Sequence, residues 1–125
     1  MAMTPEARVK NQVKKILAEY KPLYGWWPVP NGMGASSLDF VGCFRGVFFA
    51  VETKAPGKKP TARQDLCIQE MRAAGGIVFV IDGEEGYTAL RKFMNFLAAK
   101  DANFSQPEAQ DGGRAVAPAG SGPVS

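Results

Sequence analysis

Residues 38–54 read LDFVGCFRGVFFAVETK, and this stretch predicts two strands joined by a tight turn. The strands are expected at residues 38–43 and 47–54, where β-branched and aromatic residues dominate, with the Arg-Gly pair of a short connection between them. The run 47–51 is apolar at every position, which favours a strand covered on both faces. The second strand is therefore expected in the interior of a sheet.

The turn also predicts which residues face each other. If it is symmetric about Arg45 and Gly46, the numbers of opposite residues add up to 91, so Asp39 lies directly opposite Glu52. Opposite residues in an antiparallel pair have Cα atoms about 4.5–5.5 Å apart. Lys54 follows Glu52 by two residues and points to the same face of the strand. Three ionisable side chains are thus predicted at one end of the hairpin.

Asp39 and Glu52 repel each other in these positions unless a cation or a proton lies between them. A Mg²⁺ ion, or Mn²⁺ in its place, would relieve the repulsion, polarise a phosphoryl oxygen and acidify a bound water. Lys54 could orient or deprotonate that water, or balance charge in the transition state. Alternatively, Asp39 ends a loop while Glu52 and Lys54 form an ion pair at the sheet edge. The adjacent Gly-rich loop and apolar strand favour the metal site.

Three helices and two further strands are predicted around this hairpin. They are expected at residues 4–20 (helix), 26–29 (strand), 61–74 (helix), 77–81 (strand) and 84–100 (helix). The step from 47–54 to 77–81 implies a right-handed parallel crossover. The order α-β-β-β-α-β-α therefore predicts an α/β fold with a mixed central sheet flanked by helices.

The composition predicts one globular domain and a tail. A chain of 125 residues is long enough for a single core. Residues 1–100 carry fourteen basic and nine acidic side chains, a net charge of +5 that is compatible with a polyanionic partner. Residues 101–125 are rich in Gly, Pro, Ala and Ser and are expected to be flexible.

Histidine is absent from the sequence. This excludes Ser-His-Asp and Cys-His nucleophilic sites and every zinc site that needs imidazole, and the two cysteines cannot form a four-cysteine zinc site. A metal would need oxygen ligands, and no small-molecule cofactor is expected. No apolar run approaches the roughly 20 residues of a membrane span and no export signal is visible, so a cytoplasmic protein without a membrane partner is expected.

Four segments resemble the VRR-NUC domain, a small branch of the PD-(D/E)XK nuclease superfamily found alone in bacteriophages and as a module of larger repair nucleases. They are SSLDFVG at residues 36–42, FAVETKAPG at 49–57, Gln64, and MRAAGG at 71–76, and the resemblance covers residues 4–98. It implies a restriction-endonuclease-like core. The sequence departs from the family at Leu38, where the family usually has Pro before the metal-binding Asp.

The resemblance implies roles for individual residues. In such proteins the Asp and the Glu bind a divalent metal and the Lys is catalytic, which points to Asp39, Glu52 and Lys54. A Glu in the first helix often completes the metal site, and a Gln that opens the next helix is a further motif residue. Glu6 and Gln64 occupy these positions.

Glu6 and Gln64 each have a second explanation. Glu6 is placed by helical spacing on the apolar face with Val9, but an acid in a first turn is also favoured by the helix dipole. Gln64 forms a T-x-x-Q capping box with Thr61, which needs no catalytic role. Helical spacing also puts Gln64 on the face that is expected to pack against the sheet.

Basic and aromatic residues near the site predict contacts to nucleic acid. Lys58, Lys59 and Arg63 are either a solvated surface or contacts to a phosphate backbone. Three aromatic residues could stack on bases, although aromatics that flank a strand are more often core. These residues are Tyr24, Trp26 and Trp27.

The function implied by the resemblance is a Mg²⁺- or Mn²⁺-dependent DNA endonuclease, with four-way junctions or other branched DNA as candidate substrates. A homodimer would supply the two active sites that paired cutting of a junction needs. The alternative is a non-catalytic nucleic-acid-binding module on a nuclease fold. Such a relic would tolerate the loss of Asp39, Glu52 or Lys54, whereas this sequence keeps all three.

Overall fold

The computed structural model of the protein describes residues 3–29, 38–100 and 107, which form three helices and four strands. In chain order they are α1 (Pro5–Leu17), β1 (Tyr24–Trp26), β2 (Phe40–Phe44), β3 (Val47–Thr53), α2 (Ala62–Ala73), β4 (Ile77–Ile81) and α3 (Glu84–Ala98). The predicted order is confirmed. The predicted Gly-rich loop and tail lie outside the described residues, apart from Pro107. Within the described ranges, no helix is long and apolar enough to cross a membrane.

The four strands form one mixed sheet in the order β1-β2-β3-β4. The first three are antiparallel neighbours, and β4 pairs with β3 in parallel. This arrangement confirms the predicted mixed sheet, and it places β3 in the interior between β2 and β4. The β2–β3 pairs run from Phe40 opposite Val51 to Phe44 opposite Val47, so the numbers of opposite residues add up to 91 as predicted.

The turn between β2 and β3 explains this register. Arg45 and Gly46 have φ values of 52° and 86°, and two consecutive positive φ values are typical of the two-residue hairpin turns whose twist matches the strands. The Arg45 guanidinium also donates a hydrogen bond to the carbonyl of Lys100. The tight turn therefore fixes the pairing of β2 with β3 without an intervening loop.

Helices cover both faces of the sheet. On one face, apolar residues of α1 and α3 pack against Phe40, Phe49 and Val51. On the other face, Ile68 of α2 packs against Ala50 and neighbouring strand residues. Helical spacing had predicted the buried side of α1 correctly, and its buried residues are Val9, Val13, Ile16 and Leu17. The middle of β3 is thus buried on both sides, as its apolar run predicts.

The first strand lies two residues earlier than predicted. Instead of residues 26–29, the strand is Tyr24–Trp26, with Tyr24 opposite Cys43 and Trp26 opposite Val41. Pro28 has no N–H to donate to a strand ladder, and the ring of Trp27 packs on Phe40 at a centroid distance of 5.0 Å. Packing of Trp27 against the core therefore ends the strand.

Leu38, the residue before Asp39, is a core residue. It is 2% exposed and belongs to the cluster of Val41, Ala50, Ile68 and Val78 beneath α2. Its side chain anchors the start of β2 one residue before Asp39. The position before Asp39, where the VRR-NUC family usually has proline, is thus filled by a packed apolar side chain in this protein.

We expect Leu38→Ala to lower the free energy of unfolding by about 2–5 kcal/mol, because the truncation leaves a cavity in the core. Leu66 is 62% exposed on α2, so Leu66→Ala is the matched control and should change the same quantity by less than about 0.5 kcal/mol. Urea unfolding of the two variants measures the difference. Equal effects of the two substitutions would contradict the packing described for Leu38.

Candidate active site

Asp39 and Glu52 lie against each other where β2 begins and β3 ends. The pair follows directly from the register, one step beyond Phe40 opposite Val51. The backbone N–H of Asp39 donates to Oε1 of Glu52 at 3.2 Å. Glu52 is 2% exposed, which is rare for a carboxylate unless it is paired or binds a cation. The structure therefore brings these two predicted residues together.

Thr53 fixes the carboxylate of Asp39. Its backbone N–H and its hydroxyl both donate to Oδ2 of Asp39, at 2.9 and 2.5 Å. Thr53 is fully buried, so this double contact holds Asp39 in one orientation. Strand alternation places Thr53 on the opposite face from Glu52, so its contact with Asp39 could not be predicted from the spacing of the residues.

Lys54 completes the group. Its Nζ lies 3.5 Å from Oε2 of Glu52, and both side chains are largely buried, at 12% and 3% exposure. The backbone N–H of Lys54 donates to the carbonyl of Ile81, which extends the β3–β4 pairing one residue beyond the strand. The sheet thus fixes the backbone of Lys54, and the ion pair places its ammonium group beside Glu52.

Burial is the main reason why the Glu52 carboxyl is a weaker acid than an exposed glutamic acid. Burial first and the negative charge of Asp39 second raise the pKa of the Glu52 carboxyl from 4.5 to about 7, against the opposing effects of Lys54 and the Asp39 N–H. Burial, Glu70 and Glu52 also raise the pKa of the Cys67 thiol, in that order of importance. Glu52 therefore interacts electrostatically with Cys67 of α2, the helix that covers this face of the sheet.

The donor set fits a hard cation. Asp39 and Glu52 offer carboxylate oxygens, the ligands that Mg²⁺ and Mn²⁺ prefer, and Mg²⁺ is commonly bound by one or two carboxylates while it keeps several waters. No group of three or more Asp, Glu, Cys or His side chains suitable for a metal occurs in the described residues. The site is therefore a two-carboxylate pair within the part of the chain described.

Glu6 does not join this pair. Helical spacing predicted it on the buried face, but the residue is exposed. It lines a surface cleft of about 480 Å³ together with Lys10 and Ala55, and Ala55 directly follows Lys54. The side chain of Glu6 thus borders a surface opening and not the core.

Gln64 forms the capping box that its spacing predicts. Its Oε1 accepts from the Thr61 N–H at 2.9 Å, and its own N–H donates to the Thr61 hydroxyl at 3.2 Å. The residue is half-buried at the start of α2. The geometry shows its structural role, and its part in catalysis remains a prediction from the resemblance.

Three basic residues lie on the surface next to the site. Lys58, Lys59 and Arg63 are exposed, and none forms an ion pair with the described part of the chain. The loop that carries the lysines is anchored by Asp82, whose Oδ2 accepts from the Gly57 N–H at 3.0 Å. The role of Asp82 could not be predicted from the sequence, because the contact joins positions 25 residues apart.

We expect the metal-free protein to lose stability as the pH rises from about 4.5 to 7. In this range the unfolded chain has released the Glu52 proton while the folded protein retains it, so the free energy of unfolding falls by about 3 kcal/mol. Glu52→Gln, which cannot ionise, should remove this fall. Glu85→Gln on the exposed start of α3 is the control and should retain it.

Urea unfolding in EDTA at a series of pH values measures this difference. The comparison of Glu52→Gln with wild type isolates the contribution of Glu52 from that of other titrating groups. If the two proteins show the same pH dependence, Glu52 is not a buried carboxyl with a raised pKa, and the electrostatic description of the site is wrong.

No family model, curated protein or solved structure matches this chain. A functional assignment therefore rests on the geometry of Asp39, Glu52 and Lys54. Two opposed carboxylates with a lysine beside them, at the end of an interior strand, form an arrangement that can hold a divalent cation and a negatively charged substrate.

Proposed function

We propose that this protein is a divalent-metal-dependent endonuclease that hydrolyses DNA phosphodiester bonds, with a VRR-NUC-type core of the PD-(D/E)XK superfamily. The observation that carries the proposal is the contact of Asp39 with buried Glu52, with the Lys54 ammonium 3.5 Å from Glu52. Opposed carboxylates at this position weaken the fold unless a cation neutralises them. A bound cation would explain why the two carboxylates lie together, whereas a purely structural role would not.

Asp39 and Glu52 would hold the metal, which is Mg²⁺ with Mn²⁺ as a substitute. When bound, the ion supplies Lewis-acid polarisation of a phosphoryl oxygen and acidifies water. Thr53 keeps Asp39 oriented through two hydrogen bonds. A carboxylate that is held in place before the ligand arrives loses less conformational entropy on binding.

Lys54 provides positive charge where negative charge develops on the reacting phosphate. Its Nζ is held by Glu52 and by the sheet, and it is only 12% exposed. A fixed ammonium in a partly desolvated site stabilises an oxyanion more strongly than the same group in water. In the proposed mechanism Lys54 also orients the attacking water.

Lys58, Lys59 and Arg63 would bind the DNA backbone beside the reacting phosphate. They are exposed and without ion-pair partners in the described residues, so their charge is available to a polyanion. The bond from Gly57 to Asp82 holds the start of this loop next to Lys54. Substrate contacts and catalytic group are therefore on one continuous segment.

Branched DNA, including four-way junctions, is the proposed substrate class. Paired cutting of a junction needs two active sites, which a homodimer of this single domain would supply. A non-catalytic nucleic-acid-binding module is the second candidate, and it is favoured by the lack of a third acid next to Asp39 and Glu52 in the described residues. The cleavage experiment below separates the two functions.

We expect cleavage of a synthetic four-way junction in Mg²⁺ and in Mn²⁺, and none in EDTA. Glu52→Gln should abolish cleavage and retain or strengthen DNA binding, because the variant removes a negative charge that repels phosphate. Glu85→Gln is the matched control and should cut at the wild-type rate. Gel analysis of the junction, a linear duplex and a single strand ranks the substrates in the same assay.

Cleavage that persists in EDTA, or in Glu52→Gln, would refute the assignment of the metal site. DNA binding without cleavage in either metal would identify the protein as the non-catalytic module instead.

We expect Lys58→Ala with Lys59→Ala to weaken binding to duplex DNA and to flatten its salt dependence. Each lost phosphate contact should reduce the slope of log K against log[salt] by about 0.9. Lys92→Ala on α3, another exposed lysine, is the control and should leave the slope unchanged. Fluorescence anisotropy at several salt concentrations measures both, and equal slopes for all variants would exclude this loop as a DNA contact.

A further inference from the structure

Helix α1 carries a pair of lysines that the candidate active site does not use. The Nζ atoms of Lys10 and Lys14 lie 5.5 and 5.1 Å from the centre of the Trp27 ring, within the range of cation–π attraction. The two lysines are one helical turn apart, and like charges at this spacing repel each other. Trp27 thus holds two positive charges close together at the surface.

Trp27 also lines a cleft with aromatic and basic walls. The cleft has a volume of about 360 Å³, and its aromatic residues are Tyr20, Trp27 and Phe40, with Lys14 and Lys21 also lining it. This volume is within the range of small-ligand pockets. Aromatic faces stack on bases, and ammonium groups pair with phosphates. We call this feature the Trp27 cleft.

Lys10 connects the Trp27 cleft to the candidate active site. Besides lying over Trp27, it lines the second cleft with Glu6 and Ala55, and Ala55 directly follows Lys54. Lys14 in turn lies over Trp27 and lines the Trp27 cleft. Lys10 and Lys14 therefore link the two clefts along α1, and the second cleft reaches Ala55 at the end of β3.

The charge of this surface favours an anion. Glu19, the acid after the end of α1, is paired with Arg91 through Nη1–Oε1 and Nη2–Oε2 contacts of 2.5 and 3.0 Å. The pair also lowers the pKa of the Glu19 carboxyl. With Glu19 paired to Arg91, the charged residues that line the two clefts are Glu6 and three lysines, Lys10, Lys14 and Lys21, so this surface keeps a net positive charge.

We propose that α1 and the Trp27 cleft bind a single-stranded segment of the nucleic-acid substrate. One base occupies the Trp27 cleft, the phosphates pair with Lys10 and Lys14, and the strand continues along α1 to the cleft of Lys10 and Ala55 at the end of β3. The occupant rests on the proposed function, because the segment is taken to be a flank of the cleaved substrate. A branched DNA with an unpaired arm has the required chemistry.

Fluorescence of Trp27 tests this directly. Trp26 and Trp27 are the two tryptophans of the chain, and Trp26 is 51% exposed, so Trp26→Phe leaves Trp27 as a single reporter in an intact fold. Oligothymidylate is added in EDTA, so that no cleavage occurs. We expect saturable quenching of Trp27, because a base stacked on the ring changes its environment.

Lys10→Ala with Lys14→Ala, in the Trp26→Phe background, should weaken binding about tenfold. It should also reduce the slope of log K against log[salt] by about 1.4, the value for two single-strand phosphate contacts. Lys92→Ala with Lys100→Ala is the matched control, because it removes two charges and Lys100 also lies over an aromatic ring, that of Phe96 at 5.4 Å. The control should bind like the parent protein.

Binding without quenching of Trp27, or equal affinities of the two double variants, would overturn the proposal. Equally strong quenching by thymidine monophosphate would overturn it in favour of a free-nucleotide site. Junction cleavage in Mg²⁺ is measured on the same proteins. Quenching without cleavage would refute the nuclease while retaining the strand site, and cleavage without quenching would do the reverse.

Discussion

The register between β2 and β3 is the constraint on which the site depends. The turn at Arg45 and Gly46 sets it, and it places Asp39 against Glu52. A slip of one residue would turn every side chain of β3 to the other face. Phe49 and Val51 would then leave the core beneath α1 and α3, and Glu52 would enter it. The hydrophobic core therefore protects the geometry of the carboxylate pair.

Burial of Glu52 makes ionisation of its carboxyl unfavourable, although a carboxylate that binds a cation must be ionised. Its pKa is raised to about 7, first by burial and then by Asp39, so the folded protein holds a carboxyl that resists ionisation. A divalent cation reverses this preference, because a nearby ion favours the charged form of an acid. The Asp39 N–H and Lys54 already offset part of the cost of burial. The site is thus prepared for an additional positive charge.

The sequence was most informative where structure is local. The hairpin register and the capping box of α2 depend on residues close together in the chain, and both were predicted correctly. The start of β1 was wrong, because packing of Trp27 on Phe40 overrides the strand pattern. The exposure of Glu6 was also missed, because helical spacing does not show which neighbouring elements cover the first turn of a helix. Thr53 and Asp82 act through contacts that only the tertiary fold creates.

Helix α1 combines two roles that are separate in sequence. Its apolar side, from Val9 to Leu17, closes the core over β3, and its polar side brings Lys10 and Lys14 to Trp27. The second role depends on the first, because Trp27 is itself held against Phe40 of the sheet. Negative charge is therefore concentrated at the end of β3, with positive charge along α1 and on the loop of Lys58 and Lys59. Under the proposed function, a polyanion bound to the basic loop would meet repulsion from the two carboxylates unless a cation neutralised them, and metal binding would then be coupled to substrate binding.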